Sequence, residues 1–157
     1  MSALDWFKRI LGETPGAQGQ PEAALQPADD AAAEIGGLNF KTAIDAHMKW
    51  KTRLESYIDG TSKEDLKVEV VSRDDQCPLG KWIYSTGGSQ FGGIDTFTEM
   101  RSHHSAFHQC AGKILSAAQH GKKDEALNLL NHGDYSLASA KVKRLLAKLY
   151  VRVNTGT

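Results

Sequence analysis

Apolar residues in this chain recur mostly every three or four positions, the spacing of helices. Asn39 can cap a helix on which Phe40, Ile44, His47, Trp50, Leu54 and Tyr57 or Ile58 share a face, and Asp59-Gly60 ends it. A second long helix opens at Asp95 or Thr96. It carries Phe97, Met100 or Arg101, His104, His108, Ala111, Leu115 and Ala118 along one side, and His120-Gly121 closes it. Residues 122–131 form a shorter helix through Ala126, Leu127 and Leu130, broken at Gly133. A last helix starts at Asp134 or Ser136 and carries Leu137, Val142, Leu145, Leu146 and Leu149.

Between the first two helices the pattern changes. Residues 61–76 are polar and read as a connection with one or two helical turns. Cys77-Pro78-Leu79-Gly80-Lys81-Trp82-Ile83-Tyr84 predicts a short helix with proline in its first turn, where a missing amide donor costs little. Glycines 87, 88, 92 and 93 predict a loop. Val68, Val70 and Val71 make the strongest strand-like pattern, and it is too short and too charged to carry a sheet. The fold class is therefore all-α: an antiparallel four-helix bundle with short connecting helices.

The N-terminal part reads differently. Within residues 1–12, Leu4, Phe7, Ile10 and Leu11 fall at helical spacing after a capping Ser2. Residues 13–37 contain three prolines and little to bury, so their composition predicts a flexible linker. The bundle then occupies 38–153. A short amphipathic helix on a tether can dock into a partner's groove through Trp6, Phe7, Ile10 and Leu11 or lie on a membrane surface; the alternative is that it folds back onto its own domain or frays.

The chain of 157 residues has 19 basic and 19 acidic side chains. That zero hides a division: residues 1–37 hold two basic and six acidic residues, a balance of −4, and 38–157 hold 17 and 13, or +4. An excess of four over a whole bundle is a solvated surface, not a nucleic-acid stripe. No apolar run approaches a membrane span, and the N-terminus lacks a signal peptide's apolar core. Two cysteines in a chain of this length are not a disulfide framework, which points to a reducing cytoplasm.

The chemistry lies in where the histidines fall. His47 sits in the apolar seam of the first helix, and His104 and His108 sit in the seam of the second. A buried imidazole without partners costs about 1–3 kcal/mol. Histidines at i and i+4 point the same way and can share one ion. With the Cys77 thiolate they make an N₃S set suited to tetrahedral Zn2+. A di-iron bundle needs inward carboxylates, and Asp45, Asp95 and Glu99 lie off the histidine faces. His103 falls on the surface, His120 and His132 suit helix ends, and Cys110 is core packing.

Three pieces in order carry a resemblance: Ala46-His47-Met48, Cys77-Pro78-Leu79-Gly80-Lys81-Trp82-Ile83-Tyr84, and His104-Ser105-Ala106-Phe107-His108. From residue 38 to about 150 the chain resembles the chemoreceptor zinc-binding (CZB) domain family. The resemblance implies an all-α bundle with zinc on His47, Cys77, His104 and His108, packed about by Leu79, Gly80, Trp82 and Phe107. It also implies a non-catalytic bacterial cytoplasmic sensory module, often a homodimer, serving chemoreceptors or diguanylate cyclases, with Cys77 responding to zinc or to oxidants such as hypochlorous acid. The sequence holds no signalling hairpin and no cyclase domain, so an output partner would be reached through a surface. A structural zinc adaptor, a zinc buffer and a zinc hydrolase are the alternatives. The hydrolase reading suffers because four ligands fill the tetrahedron and no glutamate adjoins the motif.

Overall fold

The computed structural model describes residues 2–13 and 32–156, and its architecture is all-α with one very small sheet. Helix α1 spans Ala3–Ile10. Strands β1 (Glu34–Ile35) and β2 (Leu38–Asn39) form a hairpin, and α2 (Phe40–Asp59) follows directly. Three short helices come next: α3 (Val68–Val71), α4 (Pro78–Ile83) and α5 (Thr86–Phe91). Then come α6 (Asp95–Gln119), α7 (Lys123–His132) and α8 (Asp134–Thr155).

Helices α6 and α8 form the central pair, α2 packs on both, and α7 fills the end where α6 turns back. The core carries Phe40, Ile44 and Leu54 from α2 and Phe97, Met100, Phe107, Ile114 and Leu115 from α6. Leu130 adds from α7, and Val142, Leu146 and Leu149 from α8. The long helices end as their sequences indicate. The Asn39 side chain accepts from the Thr42 amide, and Gly60 takes the left-handed conformation (φ 82°) that stops α2.

The N-terminal region folds back. Ser2 and Asp5 form a reciprocal capping box on α1. Ala3, Trp6 and Phe7 are buried, and Phe7 stacks on Tyr150 of α8 with ring centroids 3.9 Å apart. Of the sequence readings for this helix, the structure takes the one that folds it back onto its own domain. Trp6 and Phe7 are spent on the protein's own core and do not present a docking face, while Ile10 and Leu11 lie half-buried at its margin. The physical reason is Tyr150, whose ring the α1 periodicity could not reveal.

The linker expected over 13–37 is also revised at its C-terminal end. Residues 32–37 are ordered, with Ala33 buried and the Tyr150 hydroxyl donating to the Ala32 carbonyl at 2.7 Å. Glu34 pairs with Asn39 and Ile35 with Leu38, antiparallel across Gly36 and Gly37, whose φ values of 57° and 86° only glycine adopts readily. Two-residue strands leave no periodicity to read. Residues 14–31 lie outside the described residues.

One further expectation holds and one changes. Val68–Val71 is a helical turn, within what the connection allowed. The glycine-rich loop contains a helix instead, α5. A Cβ at Gly87 would sit 2.5 Å from the Trp82 ring, so the bare backbone there lets the indole close against it.

Candidate metal centre

Three segments bring four side chains to one point. His47 lies on α2 and His104 and His108 lie one turn apart on α6, all three buried. Cys77 is the N-cap of α4, half-buried, and its Sγ accepts the Gly80 amide at 3.3 Å. The donor atoms of the four lie within 4.8 Å of one another. Nε2 of His104 stands 3.1 Å from Nε2 of His47 and 3.1 Å from Nε2 of His108. Cys77 Sγ stands 3.3 Å from His104 Nε2 and 3.9 Å from His47 Nε2.

Proton accounting shows what this cluster lacks. His47 Nδ1 lies 2.7 Å from the Ala43 carbonyl, and His108 Nδ1 lies 3.0 Å from the Val71 carbonyl. A carbonyl can only accept, so both Nδ1 atoms carry the proton and both Nε2 atoms face the centre as lone pairs. His104 Nε2 can give at most one proton to the acceptors around it, and its own Nδ1 is buried without a partner among the described residues. Converging lone pairs held this close repel unless a cation lies between them. A tetrahedral zinc site has nitrogen–nitrogen and nitrogen–sulfur edges of about 3.3–3.6 Å, given metal–nitrogen and metal–sulfur bonds of about 2.0–2.3 Å. The observed edges bracket that range, and the donor set of imidazoles and thiolate suits Zn2+.

Electrostatics point the same way. Burial pushes the His47 pKa down to about 4 and lowers those of His104 and His108, so all three rings are neutral ligands at pH 7. Burial raises the Cys77 thiol, against the lowering by the amides of Gly80 and Leu79. A neighbouring cation is what would hold the thiolate.

The residues expected around the site divide. Phe107 sets its ring edge-on against both His47 and His108, at 5.2 and 5.3 Å between centroids. Leu79 is buried behind Cys77. Gly80 is indispensable for a steric reason: a Cβ there would meet the Asp74 carbonyl at 1.6 Å. Trp82 faces away from the ligands. It packs on Phe40, Phe91 and Phe97, and its indole N–H donates to the Gly36 carbonyl at 2.9 Å, fastening α4 to the hairpin. Cys110 stands outside the cluster as a partly buried core contact. His120 and His132 are exposed at helix ends.

Sequence reasoning did not find the groups that orient the imidazoles. They are the backbone carbonyls of Ala43 and Val71, not the nearby side chains Asp45, Asp74, Asp75 or Ser105. Asp45 instead pairs with Lys41, Asp75 with Arg73, and Asp74 accepts the Tyr84 hydroxyl at 2.5 Å. Backbone acceptors leave no residue-type signal.

The family model of the chemoreceptor zinc-binding domain matches residues 47–115, a segment that runs from the first ligand to about two helical turns beyond the last. Residues 47–115 are therefore similar to the chemoreceptor zinc-binding domain, and the four clustered donors are grouped to hold a metal ion, consistent with zinc. No curated protein and no solved structure matches the chain with significance.

Proposed function

We propose that this protein is a non-catalytic zinc-dependent sensory module in which His47, Cys77, His104 and His108 are the zinc ligands and Cys77 is the responsive one. The observation that carries the reading is the convergence of three imidazole nitrogens and one sulfur within 4.8 Å, drawn from three segments far apart in sequence. Bound zinc supplies a divalent charge that keeps Cys77 a thiolate and ties α2, α4 and α6 together. The chain's own groups do the rest. Ala43 and Val71 fix two imidazoles by their Nδ1 protons, and the Gly80 amide fixes the sulfur.

Cys77 is the least buried of the four and sits on the shortest of the three segments, so loss of its bond frees α4 first. Because Trp82 joins α4 to the Gly36 turn, that release reaches the hairpin and the start of α2. Such a shift is a two-state element of the kind a sensor needs. A cytoplasmic chemoreceptor or cyclic-di-GMP enzyme is the partner class the family suggests, with a homodimer as the working assembly. No helix among the described residues is long and apolar enough to cross a membrane.

The test is metal content. Purified without added metal, the chain should hold one zinc, and Cys77→Ala should lose it. On treatment of the loaded protein with a two-electron oxidant, zinc release should track oxidation of Cys77. Wild-type protein free of zinc, or a Cys77→Ala variant that retains it in full, overturns the reading.

A further inference from the structure

A cavity of about 550 Å³ opens beside the cluster. Its floor is formed by three of the four ligands, His47, Cys77 and His108, while His104 is not on its wall. Its sides are largely apolar. Along α2 the residues Ala46 and Trp50 stand one turn apart, and Val70 and Leu79 face the same space. Val70 is also one of the few large apolar side chains left exposed among the described residues, at 47%.

The charged residues at the mouth cancel locally. Arg53 is held by Glu64 at 2.6 Å, Arg73 by Asp75 at 2.9 Å, and Lys67 lies 3.6 Å from Asp65. Each cation on the rim is thus matched by a carboxylate. An ion entering gains no net attraction there and loses its hydration against apolar walls. An uncharged molecule pays no such cost.

We propose that this cavity is the entry route to Cys77 for small uncharged reagents, and that Ala46, Trp50 and Val70 set which molecules pass. This deepens the sensor reading above and rests on it. For a hydroperoxide, the Cys77 sulfur attacks the terminal oxygen, an S–O bond forms, and the O–O bond breaks. The leaving oxygen departs with the bonding pair and takes up a proton from water. Sulfur is oxidised by two electrons, the peroxide is reduced by two, and the cluster loses its anionic donor.

The experiment uses iodoacetamide and iodoacetate, which match in size and differ by one negative charge. On the zinc-loaded full chain, alkylation is read at the Cys77 peptide by mass spectrometry. Relative to the ratio in the urea-unfolded chain, iodoacetamide should be favoured on the order of tenfold. Ala46→Phe, which fills the cavity, should slow iodoacetamide about tenfold with one zinc per chain retained, and Trp50→Ala should speed it. An unchanged rate in zinc-replete Ala46→Phe, or equal preference for the anion, overturns the proposal. Should Ala46→Phe lose zinc, Val70→Phe on the opposite wall decides. Loss of zinc in both variants also counts against an entry route, because the wall is then part of the metal site. Wild-type protein without zinc sinks the sensor reading itself, which separates the two failures.

Discussion

Ser72 rests against α6 at the point where Gly112 has no side chain. A Cβ at 112 would come 1.9 Å from the Ser72 hydroxyl oxygen, 2.9 Å from its Cβ and 3.2 Å from its Cα. Rotating the hydroxyl relieves only the first of these contacts, so the backbone of α3 must also move. Gly112 lies one helical turn beyond His108, and Ser72 follows Val71, whose carbonyl fixes the His108 ring. The missing side chain is therefore what lets α3 approach closely enough to orient a ligand. Gly112→Ala should weaken zinc binding about tenfold, the usual cost of disturbing a ligand's orienting partner. Chelator competition measures it, and an unchanged affinity would contradict the relationship.

Removing the metal should loosen the domain, because the site ties the short α4 to the packed pair of α2 and α6. Structural zinc contributes on the order of 10 kcal/mol in small domains. Chelation is therefore expected to lower the melting temperature by on the order of 30 °C. Amide exchange should rise first in residues 68–83, which hold α3 and α4. A melting curve that chelator leaves in place would argue that the bundle core suffices alone.

The buried histidines give the metal-free protein an acid sensitivity with a definite sign. His47 has its pKa lowered from 6.5 to about 4, and His104 and His108 are lowered too, all chiefly by burial. The unfolded chain therefore takes up protons before the folded one does. The stability these rings contribute is complete above about pH 6.5 and is lost as pH falls toward 4. Between pH 7 and 5, His47 alone should account for a loss of about 2 kcal/mol. Urea titrations of the chelated protein at those two pH values check this, and equal midpoints would refute it.

The N-terminal helix makes a prediction about stability. Phe7 is completely buried and stacks on Tyr150. Phe7→Ala should cost about 3 kcal/mol if α1 stays in place, and less if it detaches. In the second case, residues 3–10 should lose amide protection while zinc content stays at one per chain. Full retention of both stability and protection would show that α1 does not pack as described.

Trp82→Phe isolates the link between α4 and the hairpin. It keeps an aromatic ring beside Phe40 and Phe97 and removes the donor to Gly36. A loss of about 1 kcal/mol is expected, with faster exchange confined to residues 33–39. The signal to look for is whether oxidation of Cys77 still reaches the hairpin in this variant.

Local spacing along the chain was enough to mark the long helices and to single out the four candidate donors. The three-to-four spacing of Phe40, Ile44, Leu54 on one segment and Phe97, Met100, Leu115 on another marked two long amphipathic faces, and His47, His104 and His108 stood conspicuously within them. Cys77 ahead of Pro78 marked the start of a short helix. These are local signals, since spacing along a helix dictates which side chains share a face. The remaining features depend on backbone brought close from elsewhere in the chain. The carbonyls of Ala43 and Val71 that orient two imidazoles carry no residue-type signature. The steric needs behind Gly80, Gly87 and Gly112 exist only when Asp74, Trp82 and Ser72 lie against them. The fate of Trp6 and Phe7 was likewise open, because an amphipathic helix reveals that it has an apolar face but not what covers it. Tyr150, far along the chain, settled that.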